Sequence, residues 1–292
     1  AFHGTLFEYI RNSVLDARDW FVNFNGLAKP EERHNDFGGV IGGPVIKDKT
    51  SFFFSYEGQR LRQPASMQTA VPDEQSRRLT PVALQPYVNA YPVANGASLG
   101  RGLAQFNASF SNPSSLDAYS IRLDHVLNSK INFFGRYNYS PSSLDQRGPS
   151  FSSGRVLSTT NSLSSNVHTG TIGFNQLIDS RLNNEIRLNY SNDRIGIRFL
   201  ADDFGGAVSL PDSLFFPAGF TAANSNLIFV IGGAGQYVHG KQGTNEQRQV
   251  NFIDNLSLTK GSHQLKFGAD YRWLAPFSSP FSYRQAAQFS GM

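Results

Sequence analysis

Apolar and polar residues alternate with a period of two along most of the chain. Phe52, Phe54 and Tyr56 alternate with Ser51, Phe53, Ser55 and Glu57, and Tyr119, Ile121 and Leu123 alternate with Ser120, Arg122 and Asp124. Ile131, Phe133, Tyr137 and Tyr139 alternate with Asn132, Phe134, Arg136 and Asn138. The same rhythm runs through Ile172 and Phe174, through Ile186, Leu188 and Tyr190, and from Leu265 to Trp273. Successive side chains of a strand point to opposite faces, so this period predicts strands with one apolar and one polar face. Nine are expected, at about 2–11, 35–45, 51–63, 117–127, 130–140, 167–178, 182–193, 248–258 and 264–274.

The connections are unequal. Those near 46–50, 127–129, 179–181 and 259–262 are short, and those near 12–33, 64–116, 141–165 and 194–246 are long. Short and long alternate, so a meander places every tight turn at one rim and every long loop at the other, the asymmetry of outer-membrane barrels. One register follows from arithmetic. If Asp179–Arg181 is a three-residue turn, Phe174 faces Ile186 and Ile172 faces Leu188, while Asn175 faces Glu185 and Gly173 faces Arg187. Apolar then meets apolar and polar meets polar.

A soluble sandwich can show the same alternation. Three features favour a wall in lipid. Most expected strands reach the nine or more residues that a tilted strand needs to cross a bilayer. The apolar series Phe52, Phe54, Ile121, Phe133, Phe174, Leu188, Leu265 and Phe267 gives way to amphipathic aromatics, Tyr137, Tyr139, Tyr190, Tyr271 and Trp273, as an interfacial girdle would. The charges Glu57, Arg122, Asp124, Arg136, Glu185, Arg187, Lys266, Asp270 and Arg272 all fall in the opposite, lumen-facing series. Asp254 and Asn184 interrupt the apolar series, and a bulge or a rim position is expected at each. The expected fold is therefore all-β: an antiparallel up-and-down transmembrane β-barrel, of which residues 1–292 supply a partial wall of about nine strands with long extracellular loops. Nine strands alone would expose unpaired edges to lipid, so the rest of the wall is expected outside this chain. Ala1 leads straight into a strand pattern without a leader, and the chain is expected to be a fragment or a processed piece.

Composition supports this picture. Charged residues make up 16% and aromatic ones 13%, with 25 Phe and 11 Tyr, which suits strands whose faces see different surroundings. The net charge of +4 is dispersed, so no nucleic-acid patch is expected. The chain has no Cys, which excludes disulfides and thiolate sites. No apolar run reaches the roughly 20 residues of a membrane-spanning helix.

Motifs that could carry chemistry read as structure. Gly38–Gly43 is Gly-rich, but Pro44 and a charged turn follow it instead of the helix a phosphate loop requires, so small residues in a curved strand are expected. His3, His34, His125, His168, His239 and His263 lack the spacing of a metal site, and Asp124 and His125 point to opposite faces. Glu185 and Asp124 could meet across strands as a carboxylate pair, although a lumen hydrogen-bonding network is the favoured reading. No catalytic residue, metal site or cofactor is expected, and no substrate-binding residue is assigned. The aromatic and Gly-rich stretches Leu214–Phe220 and Gly232–Tyr237 are equally readable as binding loops or as ordered loop packing.

Several short strings occur in an order that resembles Oar-like TonB-dependent receptors. They are Phe2-His-Gly-Thr-Leu-Phe-Glu-Tyr-Ile-Arg-Asn12 with Leu15-Asp-Ala-Arg-Asp19, then Asn35-Asp-Phe-Gly-Gly-Val-Ile-Gly-Gly-Pro44 with Ile46-Lys-Asp-Lys49, Phe52-Phe-Phe54 and Tyr56-Glu-Gly58. Val71-Pro72, Tyr91-Pro92, Arg122-Leu-Asp-His125 and Phe134-Gly-Arg-Tyr137 extend the likeness to about residue 140. The resemblance implies a barrel of 22 strands in the Gram-negative outer membrane, surrounded by its lipid and plugged by an N-terminal domain of the same full-length chain. It also implies uptake of a scarce nutrient, powered through the TonB complex, with a small-molecule, glycan or peptide substrate. The plug, the TonB-contacting segment and the later strands lie outside these residues. A surface adhesion or porin-like barrel without TonB coupling is the main alternative, and an outer-membrane enzyme is the third.

Overall fold

The computed structural model describes residues 1–148 and 154–290. Twelve strands form one sheet: β1 (His3–Asn12), β2 (Arg33–Ile46), β3 (Thr50–Pro72), β4 (Ser98–Gly100), β5 (Leu103–Asn128), β6 (Ile131–Arg147), β7 (Thr159–Leu177), β8 (Leu182–Ala201), β9 (Ser225–Ile231), β10 (Gly235–Lys260), β11 (His263–Pro280) and β12 (Tyr283–Phe289). Nine long ones make an antiparallel wall in the order β1-β2-β3-β5-β6-β7-β8-β10-β11. They are the nine strands the alternation predicts. The three short ones decorate the long-loop rim: β4 pairs with β5, β9 with the upper part of β10, and β12 runs parallel to β9. The wall does not close among the described residues, because β1 and β11 each have a neighbour on one side only.

The tight turns are built by local polar chemistry. Asn128 Oδ1 accepts from the backbone N–H groups of Lys130 and Ile131 at 2.9 and 3.0 Å. Asp179 Oδ1 does the same for Arg181 and Leu182 at 2.7 and 3.0 Å. The second turn sets the register expected of it: Phe174 opposes Ile186, Ile172 opposes Leu188, Asn175 opposes Glu185 and Gly173 opposes Arg187.

Cross-strand register sorts the side chains into rows. One row runs Phe54, Ile121, Tyr137, Gly170, Tyr190, Val250 and Trp273. The next residue along each strand gives the opposite face: Phe53, Arg122, Arg136, Thr171, Asn189, Asn251 and Arg272. The wall thus has one apolar and one polar face over its whole width.

Asp254 and Asn184, the two polar interruptions of the apolar face, occupy no bulge; Asn184 stands near the tight-turn rim, one apolar-face row from Leu182, with Asp254 one row further in. The register is continuous there, and Asn184 Nδ2 donates to Asp254 Oδ1 at 2.6 Å. Each supplies the partner that a polar group on an apolar surface requires.

The strands also run further than the alternation indicates. β3 continues to Pro72, β5 begins at Leu103, β7 at Thr159 and β10 at Gly235. Beyond Tyr56 and Tyr119 the apolar face itself turns polar, in a row of Arg60, Ser115, Ser143, Ser164, Gly196, Thr244 and Ser279. On that face the period-two signal disappears while the backbone ladder continues; on the inward face of β5 it persists, as Ala104, Phe106, Ala108 and Phe110 against Gln105, Asn107 and Ser109. Hydrogen bonding between main chains does not require an apolar side.

The glycines of β2 are small because neighbours crowd them. A Cβ at Gly38 would stand 2.3 Å from the Tyr56 carbonyl oxygen, which supports the structural reading of that segment. The buried apolar clusters lie beyond the wall, among the long loops.

Candidate functional site

All nine charged residues assigned to the lumen series stand on the polar face, but they form no single cluster. Arg122 pairs with Asp124 at 2.6 Å and covers the Phe134 ring at 4.0 Å. Arg187 pairs with Glu185, and Arg272 with Asp270 at 3.4 Å. Asn251 Nδ2 donates to Asp270, and Arg136 Nε donates to Ser120 Oγ and Asn138 Oδ1 at 3.3 and 3.1 Å. Each ion pair joins residues two apart on one strand, as the pleat dictates. Glu57 and Lys266 stand near opposite ends of the wall. The Glu185–Asp124 pair does not form: β6 and β7 separate the two carboxylates, about 14 Å at three strand spacings, and each is engaged by its own Arg. His125 Nδ1 meets Thr50 Oγ1 at 2.8 Å on the face opposite Asp124. No group of His, Asp and Glu among the described residues is arranged to hold a metal ion.

Phe52, Phe54, Ile121, Phe133, Phe174, Leu188, Leu265 and Phe267 share the apolar face. Tyr137, Tyr190 and Trp273 share one row of it, with Tyr271 a row nearer the tight turns and Tyr139 a row nearer the long loops. The ring of touching aromatics is in the Tyr139 row. It runs Tyr56, Tyr119, Tyr139 and His168, with centroids 4.9, 6.1 and 4.5 Å apart. Tyr56 and Tyr119 had the same signal as Tyr139, an aromatic at the end of an apolar series, and were left out of the girdle reading.

Above this ring the long loops pack into a cap. Its elements are α1 (Trp20–Phe24), α2 (Glu74–Leu79), α3 (Gln85–Asn89), β4, β9, β12 and the upper ends of the long strands. Tyr91, Tyr237, Phe229, Leu227 and Ile231 are fully buried in its core. Phe215, Phe216, Ala234 and Tyr237 belong to this core, so the stretches Leu214–Phe220 and Gly232–Tyr237 contribute ordered packing. The Tyr91 hydroxyl donates to the Gly235 carbonyl at 2.9 Å and accepts from the Ile231 N–H at 3.2 Å. Burial raises its pKa, keeping it a neutral phenol. Arg77 clips α2 to the following loop through the carbonyls of Tyr91 and Pro92, at 3.0 and 2.6 Å, and burial without a carboxylate lowers its pKa.

A cavity of 530 Å³ opens in this cap. Leu79, Leu84, Tyr87, Ile231 and Phe289 give it apolar walls, while Asp73, Gln75 and Arg101 add polar groups. Its size falls in the range of small-molecule sites. Arg101 sits at φ 52°, between Gly100 at 75° and Gly102 at 77°. A left-handed Arg costs roughly 1–2 kcal/mol, and its exposed side chain borders the cavity. The Gly-Arg-Gly string was the available sequence signal for it. A second feature absent from the sequence reading is α1, N-capped by Asp19 at 2.9 Å, which displays Trp20, Phe21 and Phe24 at 63%, 61% and 72% exposure.

The geometry agrees with the comparisons. A family model for the outer membrane beta barrel domain matches residues 1–78 and 74–292. No curated protein matches the sequence. Among solved structures, the outer membrane transporter YddB from Escherichia coli is similar, with a TM-score of 0.57 at 9% identity over 99% of this chain and 33% of that one. The chain thus spans about a third of that transporter's length, and the likeness is one of fold.

Proposed function

We propose, from the premise that this chain belongs to the outer membrane β-barrel domain family and resides in the outer membrane, that it forms part of the barrel of an Oar-like TonB-dependent transporter. The apolar face meets lipid and the polar face meets the lumen and a plug domain of the full-length chain. The TonB complex acts through segments outside these residues. The substrate is bound and passed on, with no bond made or broken.

The observation that carries this reading is the cap cavity at the long-loop rim of an amphipathic wall. A porin needs no ordered pocket over its mouth. The apolar walls and Arg101 at their edge suit a ligand that combines an apolar portion with an anionic group. Iron chelates, cobalamin, glycans and peptides are the substrate classes to test.

The test is growth of a strain deleted for the full-length gene on each class supplied as the sole scarce source, beside a strain lacking TonB. Both are expected to fail on the same source, and complementation by Arg101→Ala is expected to need roughly 10- to 100-fold more of it, the range for one lost charge-assisted hydrogen bond. Uptake that is lost with the gene but persists without TonB would overturn the coupling and favour the porin-like alternative.

A further inference from the structure

Above the aromatic ring, the outward face of β7, β8 and β10 carries a polar pocket of 460 Å³. Arg194, Arg198 and Lys241 line it with Ser164, Asn166 and Thr244. Register places the three cations outward: Arg194 and Arg198 continue the Leu188–Tyr190 series, and Lys241 opposes Arg198 across a bulge. Arg194 and Arg198 are exposed and have no ion-pair partner among the described residues. Lys241 reaches only Ser279 Oγ, at 3.1 Å. Three carboxylates stand nearby. Glu246 opposes Arg194 in register and pairs with Arg248 at 3.6 Å, Asp145 lies two strands from Arg198 in the Ser162 row, and Asp212 accepts from the Ala222 N–H beside Ala223 and meets His239 at 3.5 Å. With Arg248 counted, four cations face three carboxylates, a balance of +1. Such a cluster, desolvated on one side and rich in hydroxyl and amide groups, suits a phosphate.

An apolar groove of 430 Å³ lies nearer the tight turns on β5, β6, β7 and β8, sharing β7 and β8 with the pocket. Gly135 and Gly170 form its floor, and a Cβ at either would meet nothing within 4 Å. Ile121, Ile172, Leu188 and Tyr190 form its sides. From Tyr190 to Arg194 is four residues, about 13 Å along the strand. The pocket therefore follows the groove along β7 and β8 toward the long-loop rim, apolar first and cationic beyond, with Arg198 and Lys241 four residues further on than Arg194.

We propose that this face holds a phosphorylated lipid of the leaflet at the long-loop rim, its phosphate between Arg194, Arg198 and Lys241 and an acyl chain over Gly135 and Gly170. The site lies outside the lumen and is separate from the cap cavity. It rests on the apolar face being the lipid face, which the Leu188 experiment below tests independently.

The experiment is native mass spectrometry of the full-length protein released from mixed micelles of phosphatidic acid and phosphatidylcholine with identical chains. Wild type is expected to retain phosphatidic acid preferentially. Arg194→Ala/Arg198→Ala is expected to lower that retention at least tenfold, with Arg194→Lys/Arg198→Lys restoring part of it. Gly170→Leu projects into the groove from a position where a Cβ has nothing within 4 Å, and it is expected to lower retention while leaving the arginines intact. Heat-modifiable migration of every variant confirms that the barrel is folded. Equal retention of both lipids, or retention indifferent to the arginine pair, overturns the proposal. Displacement of phosphatidic acid by millimolar inorganic phosphate, with Gly170→Leu behaving as wild type, would make this a site for free phosphate and overturn the lipid assignment.

Discussion

Leu188 and Asn189 are neighbours on β8 that face opposite ways, which makes them a controlled pair for the topology. Leu188 lies in the row Phe52, Leu123, Ile172, Phe252 and Tyr271. Two further apolar-face rows separate it from the Leu182–Leu258–Leu265 row at the tight turns, and two steps the other way lead to the tyrosine ring. It is thus close to mid-depth. Leu188→Arg places a guanidinium there at a cost of roughly 2–4 kcal/mol, or about 30- to 1,000-fold in the folding equilibrium. Asn189→Arg adds the same charge to the polar face, beside Thr171 and Asn251, where about 1 kcal/mol or less is expected. Reversible denaturant unfolding of the full-length protein in bilayers measures both. Equal costs would refute the assignment of faces, and a larger cost for Asn189→Arg would invert it.

Two further outcomes follow from particular side chains. Asn184→Leu leaves Asp254 without its donor on the apolar face and should destabilise by roughly 1–3 kcal/mol, whereas Asn184→Leu/Asp254→Leu should recover most of the loss in the same unfolding assay. In the cap, burial lowers the pKa of His239 below its ordinary 6.5 despite Asp212 at 3.5 Å. The folded cap therefore binds fewer protons than the unfolded one, so stability is present above that value and declines as pH falls below it. Hydrogen-exchange protection factors of β9 and the upper part of β10, taken relative to the intrinsic exchange rate at each pH, should fall from pH 7.5 to 5.5, and His239→Gln should flatten that dependence.

The wall was legible because lipid imposes a rule on every second residue. Ile186, Leu188 and Tyr190 each had to be apolar, and the Asp179 turn then fixed their partners by counting. Where that rule lapses, the signal goes with it. The run Thr159–Asn166 is strand in the structure but reads as Ser/Asn-rich loop, because apolar residues no longer alternate along it. Contacts between distant segments were equally invisible. Asn184 and Asp254 each looked like an exception, and their hydrogen bond joins positions 70 residues apart. The cap is held by Tyr91 on Gly235, 144 residues away, and no local pattern announces such a pair. Arg101 escaped for a different reason: Gly-Arg-Gly marks a turn, and only the fold reveals that the turn borders a cavity.

The row at which the outward face changes character also fixes where the cap stands. From Leu265 to Ala275, which shares the row of Tyr56, Tyr119 and Tyr139, is ten steps, about 33 Å along the strand. At the usual tilt of about 40° that is about 25 Å of height, the thickness of the apolar band of an outer-membrane barrel. β5 then continues 16 residues past Tyr119 to Leu103, about 53 Å along the strand. More than half of this strand therefore stands in water. A pore alone needs no such extension. Its consequence is to raise Tyr91, Arg101 and the cavity well clear of the apolar band, with the cations of β8 and β10 at the level between.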